Sequence, residues 1–338
     1  MSSVTSKKIS YMTAVQFKES FYEPAPEVGY VYVGNHLPYA NEANPSTTID
    51  SVYDEKLAWE NMIAAKRITG NDVELVVPRI NWTTGLRYQQ FDDRDDLNGL
   101  LTANGSIQPM YVITSERNVY KCLSNNASAN STVEPTGDYT TANGTISTAD
   151  GYIWKYMYNV KPSNKFLTSE WVPAPVSTNK LDYNVSSAGP IDGEVTTIIV
   201  TNGGSGYANP TISALAFGTG VSTITLANTT NVAANMIVSG TGIASGTLVS
   251  SVDVITSSIV LNTATTANGG GTGNNLSLTT RIYVDGDGSG TLATASLNAT
   301  SQGIDKITVT STGSGYSYAN VYIYGCGSSA TARAVLPP

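Results

Sequence analysis

The chain has 338 residues, with 18 Lys and Arg against 26 Asp and Glu and a formal net charge of -8. That balance supplies no general attraction for phosphate backbones or anionic lipid, which argues against nucleic-acid and membrane-surface binding. The length allows ordinary cores in two or three domains, so Cys122 and Cys326, which lie outside any Cys-x-x-Cys or Cys/His pattern, read as small apolar residues rather than a required staple.

In chain order, Met1 to Ser10 holds two lysines with no apolar core after them, and no run of 18 apolar residues exists, so secretion and a membrane span are not expected. Residues 29–34 alternate Tyr and Val as a strand. The first helix signal follows, near 51–69. Ser51 and Asp54 form a capping box, Trp59, Met62 and Ile63 share one face, Lys66 and Arg67 complement the C-terminal dipole, and Gly70 ends the run. Short strands are predicted at 73–77, and at 110–114 and 118–123 as a hairpin around Ser115-Glu116-Arg117. In 151–160, Tyr152, Trp154, Tyr156 and Tyr158 occupy alternate positions and share one face, which either covers a core or meets a partner.

Composition changes sharply after this point. From Val195 to Thr280 the single charged residue is Asp253, whereas Asp92, Asp93, Arg94, Asp95 and Asp96 are consecutive. Pro173, Pro175, Gly189 and Pro190 punctuate the transition, which places a boundary near 177–192. Beyond it a strand and glycine turn occur twice. Ile198-Ile199-Val200-Thr201 with Gly204-Ser205-Gly206-Tyr207 returns 109 positions later as Ile307-Thr308-Val309-Thr310 with Gly313-Ser314-Gly315-Tyr316. Ile282-Tyr283-Val284 with Gly286 and Gly288 matches Val321-Tyr322-Ile323 with Gly325 and Gly327 at an offset of 39, so an insertion interrupts the first copy. The two copies are expected to share one fold, with the insertion protruding from the first. Inside it, 223–226, 236–238, 247–249 and 258–261 are strand candidates of a small sandwich or barrel, and 268–274 reads as a flexible return loop.

These signals define a mainly β, multi-domain sandwich or barrel protein with one clear helix near 51–69 and a C-terminal duplicated β unit carrying a nested insertion. The expected division is 1–180, 181–213 plus 281–300, 214–280, and 301–338. A weakly charged β segment has few lysines to guard its strand edges and is expected to be covered within an assembly.

Catalytic templates find no purchase. His36 is the single histidine and reads as a loop residue, with no nucleophile or orienting acid that spacing places beside it. Asp285-Gly286-Asp287-Gly288-Ser289-Gly290 resembles the opening of a calcium loop but has Ser296 where the twelfth-position glutamate belongs, and it reads as a turn. The acidic run at 92–96 reads as a solvated loop. No cofactor and no metal site are expected. Arg79, ahead of Trp82, is expected to brace a carboxylate of that run or to stack on a ring.

Three stretches carry a family resemblance. Val76-Val77-Pro78-Arg79-Ile80-Asn81-Trp82, with Gly85, Tyr88 and Asp92-Asp93 after it, resembles the Pro-Arg-x-x-Trp segment of the small dimeric baseplate wedge subunit of T-even-like contractile-tail phages. Val119-Tyr120-Lys121-Cys122-Leu123 is similar to that family's Tyr-x-Cys-Leu strand. Gly144-Thr145-Ile146 followed by Asp150-Gly151-Tyr152-Ile153-Trp154-Lys155-Tyr156 resembles its Gly-Thr-Ile and Asp-Gly-Tyr-x-Trp-x-Tyr block. The likeness covers about residues 10–176, and the C-terminal half instead resembles β modules of phage virion proteins. It implies a non-enzymatic, mostly β virion subunit assembled in the host cytoplasm, a homodimer within the wedge whose partners are other wedge subunits. Arg79, Trp82, Tyr88, Tyr152, Trp154 and Tyr156 are then structural or interface candidates. Two other readings stand beside it: a receptor- or carbohydrate-binding virion protein, with Tyr207, Tyr316, Tyr318, Tyr322 and Tyr324 as stacking platforms, and a glycan-cleaving tail enzyme.

Overall fold

The computed structural model describes residues 7–23, 25–26, 28–34, 38–45, 47, 49–94, 107–138, 140, 145–174, 193–271 and 274–336. The chain is mainly β and folds into two compact units, one from residues 1–79 with 160–183 and the other from 80–159 with 184–338. The first unit opens with α1 (Lys7–Ser20), β1 (Gly29–Val33), α2 (Val52–Glu60), β2 (Ala64–Ile68) and β3 (Val76–Pro78). The second begins with β4 (Arg87–Tyr88), β5 (Ile107–Gln108), β6 (Tyr111–Ile113), β7 (Asn118–Ser124), β8 (Thr145–Ser147) and β9 (Ile153–Asn159). The chain then returns to the first unit for β10 (Trp171–Pro173), antiparallel to β3.

The helix near residue 51 starts as expected. Ser51 Oγ accepts the Asp54 N–H at 3.1 Å, but the helix stops at Glu60 and not near 69. Lys66 and Arg67 belong to β2, paired with Val31 and Tyr30. The β-branched and alternating residues of β1 supply a ladder partner, and nine helical residues are too few to resist it. α1 was not expected from the sequence. Strand β3 starts three residues later and ends one residue later than the predicted 73–77.

In the second unit, β6, β7, β9 and β8 form an antiparallel sheet in the order 6-7-9-8, and the β6–β7 hairpin turns at Arg117, whose φ is 63°. The rest of this unit comprises β11 (Thr197–Asn202), β12 (Thr211–Ser213), β13 (Thr223–Thr225), β14 (Ile237–Ser239), β15 (Val249–Asp253), β16 (Ser258–Leu261), β17 (Asn275–Thr279), β18 (Arg281–Gly286), β19 (Ser289–Leu297), β20 (Ile304–Ser314), β21 (Ala319–Tyr324) and β22 (Thr331–Val335).

The duplicated residues build one sheet, ordered 18-21-22-11-20-19, whose edge strands lie side by side so that it nearly closes as a barrel. Strands of the two copies are interleaved within it, so 181–213 plus 281–300 and 301–338 are not separate bodies. The register survives exchange of the copies. Ile198 pairs with Ile307 and Tyr283 with Tyr322, each residue facing its own equivalent. The Ile198–Ala334 pair has its counterpart in Ile307–Ala295, and the bulge between Val200 and Asn202 has its counterpart between Leu292 and Ala293. Each copy's tyrosine lies on the other's glycines. An added Cβ would stand 2.4 Å from the Tyr207 ring at Gly327, and 2.5 Å from the Tyr316 ring at Gly288. Only glycine, with a hydrogen on Cα where other residues carry Cβ, admits the ring there.

The insertion forms two three-stranded sheets, 12-17-14 and 13-16-15, around Ile212, Ile224, Met236, Val238, Ile259, Leu276 and Leu278. It takes β12 and β17 as well, so it begins at 211 rather than 214. Gly269 and Phe217 exchange backbone hydrogen bonds, and a Cβ on Gly270 would meet the Leu215 carbonyl at 2.1 Å, so Gly269 and Gly270 are packed rather than free, while residues 272–273 lie outside those described.

The expected boundary at 177–192 differs from the observed division, and residues 175–192 themselves lie outside those described. The 80–159 segment groups with the barrel through specific bonds. Thr197 Oγ1 donates to the Leu123 carbonyl at 2.8 Å, and Lys306 Nζ donates to the Gly151 carbonyl at 3.2 Å. Composition changes where charge density changes, and it carries no information about such pairings.

Candidate interaction surfaces

The three motif stretches converge on one core. Tyr88, Tyr120, Cys122, Tyr152, Trp154 and Tyr156 are buried together, with Trp82 packed against them. The Tyr152 and Trp154 rings stack at 5.4 Å, and the Tyr88 ring meets Trp154 edge-on at 5.5 Å. Alternation on β9 puts Tyr152, Trp154, Tyr156 and Tyr158 inside, so this face covers a core and is not free to meet a partner. Each hydroxyl that would be stranded has a bond. The Tyr88 amide donates to the Tyr152 hydroxyl at 3.3 Å, Tyr152 donates to the Ala129 carbonyl, and Tyr120 donates to the Gly137 carbonyl at 2.6 Å. Burial pushes the Tyr120 and Tyr152 phenols up to about 12 and raises the Cys122 thiol.

Asp150 holds the loops around this core. It accepts the amides of Thr132 at 2.7 Å and Val133 at 3.0 Å and the Ser131 hydroxyl at 3.1 Å, while Trp82 Nε1 donates to the Ser131 hydroxyl at 3.1 Å. Burial raises its carboxyl, but the Thr148 hydroxyl and these amides outweigh it and leave it below the usual carboxylate value. The polar bonds of these motif residues satisfy buried groups, with the buried Trp154 indole N–H as the exception.

Arg79 lies elsewhere, in the first unit, where its guanidinium donates to the Thr168 carbonyl at 2.8 Å. Asp92 and Asp93 of the acidic run are braced by Arg333 on β22, which pairs with Asp92 and, at 2.8 Å, with Asp93. Asp92 and Asp93 are thus braced and not merely solvated, and Asp95, Asp96 and His36 lie outside the described residues. Burial raises the Asp92 carboxyl, but hydrogen bonds from Arg333 and the Arg94 amide leave it lowered. No sequence spacing links positions 92 and 333. Of the Asp285–Gly290 stretch only Asp287 and Gly288 lie between strands, joining the end of β18 to the start of β19, and Asp287 accepts the Ser317 amide at 2.8 Å. Among the described residues no group of three or more His, Cys, Asp or Glu side chains could hold a metal ion, and no helix is long and apolar enough to cross a membrane.

Exposed apolar side chains concentrate in the first unit. On β1, Tyr30, Val31, Tyr32 and Val33 are all exposed, so both faces of the two-stranded β1–β2 sheet lie open. Helix α2 buries no residue, and Val52, Tyr53 and Trp59 are exposed at 74%, 73% and 64%. The buried apolar residues described in this unit are few: Phe21, Val160, Val172 and Pro173. An isolated two-stranded ribbon with neither face covered is marginal in water. β1 and α2 therefore present an exposed apolar surface.

The tyrosines offered as platforms separate into two sets. Tyr207 and Tyr316 are buried on their glycines, whereas Tyr283, Tyr318 and Tyr322 are exposed, and Tyr324 is half-buried between the two sets. Tyr283 belongs to the exposed set but was not among the expected platform residues; its pairing with Tyr322 follows from the offset of 39 between the copies. No family model matches the chain, and no curated protein and no solved structure matches it.

Proposed function

We propose that this protein is a structural subunit of a contractile phage tail baseplate wedge, a homodimer that acts by holding other wedge subunits and performs no catalytic step. The observation that carries the reading is the uncovered apolar surface of the first unit, on β1 and α2. An obligate assembly interface supplies the cover that the unit lacks, and such interfaces commonly bury more than about 2,000 Å². The convergence of the motif residues on one core supports the resemblance, because it gives each of those residue types a physical reason to be where it is. In this reading the protein resides in the virion.

The test is light scattering of the purified full-length chain, alone and mixed with candidate wedge proteins. Dimerisation or co-assembly is expected, and Tyr32→Glu with Trp59→Glu should abolish it while the melting transition of the second unit stays in place. A monomer that joins no tail protein would sink the proposal. The carbohydrate-binding reading keeps one specific observation in its favour, the exposed tyrosines on the barrel, and a glycan-cleaving activity has none.

A further inference from the structure

The outer face of the barrel is finished differently at its two poles. Outside the Ile198–Ile307 pair, Leu123, Asn126 and Gly151 are bonded to Thr197 and Lys306, so that pole is covered by the aromatic sheet. Outside the Tyr283–Tyr322 pair the sheet is partly open, and Tyr283 and Tyr322 are 38% and 45% exposed. Register places Arg281, Tyr283 and Asp285 of β18 beside Tyr324, Tyr322 and Asn320 of β21 on this one face, while Ile282, Val284, Val321 and Ile323 point into the core. The ring centroids of Tyr283 and Tyr322 are 6.4 Å apart and those of Tyr322 and Tyr324 6.5 Å apart, with interplanar angles of 34° and 14°. The Arg281 guanidinium lies 4.6 Å from the Tyr283 centroid and 5.7 Å from that of Tyr324, which holds the row in place. A cleft of about 620 Å³ adjoins it, lined by Arg281, Tyr283, Asp285 and Thr291 of the barrel and by Ile237 and Leu248 of the insertion.

We propose that this face binds a hexopyranose unit of a glycan. A pyranose ring has an apolar C–H face and a rim of hydroxyls. It therefore fits aromatic rings that are flanked by a few oriented donors and acceptors. Arg281 and Asn320 supply donors, Asp285 and Asn320 acceptors, and the tyrosine hydroxyls both. Arg281 and Asp285 balance in charge, and from Val195 to Thr280 the single charged residue is Asp253, so the surroundings favour a neutral sugar over a polyanion. The cleft volume falls in the range of small-ligand sites. The rings are already held in a row, so little side-chain freedom is lost on binding.

The experiment titrates the full-length protein with maltohexaose, cellohexaose and mannohexaose, by saturation-transfer NMR and calorimetry. At least one hexaose is expected to bind, with Tyr283→Ala and Tyr322→Ala each weakening it by about tenfold. Tyr283→Phe should retain binding, Arg281→Met should weaken it, and Tyr39→Ala, on the first unit, should leave it unchanged. Circular dichroism and melting establish that each variant is folded, which the outward position of these side chains favours. Failure of all three hexaoses to bind, or binding insensitive to both alanine variants, overturns the proposal. So does protection of Tyr322 by a tail protein with no saccharide bound.

Discussion

Replacing Gly327 by alanine should destabilise the barrel, and the structure sets the size of the effect. The new methyl would lie 2.4 and 2.5 Å from Cδ2 and Cγ of Tyr207 and 2.6 Å from the Ser205 carbonyl oxygen. Ordinary contact begins near 3.4 Å, so the ring and the backbone must separate by about 1 Å. The ring has nowhere to go, because Tyr207 is buried and Gly325 approaches its Cδ1 so closely that a Cβ there would lie at 3.0 Å. Overpacking of this kind costs about 1–3 kcal/mol, and with a backbone carbonyl involved we expect the upper end, about 3 kcal/mol. Exchange of the copies predicts a similar loss for Gly288→Ala, where the methyl would meet Tyr316 Cγ and the Ser314 carbonyl, both at 2.5 Å. Urea unfolding of the single variants, of Tyr207→Ala and of the Gly327→Ala/Tyr207→Ala double variant forms a cycle. The double variant should be less destabilised than the sum by at least about 1 kcal/mol, because removing the ring removes the clash. Additivity within about 0.5 kcal/mol, or a neutral Gly327→Ala, would refute the reasoning.

Three further outcomes are expected. Arg333→Met should cost about 1–3 kcal/mol at pH 7 by leaving Asp92 and Asp93 unpaired. Because the Asp92 carboxyl is lowered in the fold, its contribution is complete above the unfolded value of about 3.9 and is lost as pH falls through the lower folded value, so wild type and variant should converge in acid unfolding below about pH 4. Burial lowers Lys121, whose Nζ lies 4.0 Å from the Phe91 ring centroid, to about 8. The folded chain then binds fewer protons than the unfolded one between about pH 8 and 10.4, so wild-type stability should rise across that window, and Lys121→Met should stabilise by about 1 kcal/mol at pH 7 with an advantage that fades above pH 10. Cys122, fully buried with its thiol raised, should resist a thiol reagent in a Cys326→Ser background until denaturant is added, and reaction with the native variant would contradict its placement.

Much of the fold was legible because it is local. Period-two alternation marked β1 and β9, apolar runs flanked by turn residues marked β16 and the β6–β7 hairpin, and Ser51 marked the start of α2. The end of α2 was not legible, since Lys66 and Arg67 suit a helix terminus and a strand equally well until β1 arrives to pair with them. The motif residues were visible as types, but only their burial distinguishes a core from an interface. The clearest case is the duplication. Offsets of 109 and 39 in the sequence establish that two equivalent units exist and that one is interrupted. That the copies interlock in one sheet, with Tyr207 on Gly325 and Gly327 and Tyr316 on Gly286 and Gly288, is decided by tertiary structure. The same holds for the Arg333 brace on Asp92 and for the row of Tyr283, Tyr322 and Tyr324. Local preference depends on neighbours within a turn or a strand, whereas pairing between positions more than 30 residues apart depends on which apolar faces must be buried together. A single chain of letters records the faces but not their partners.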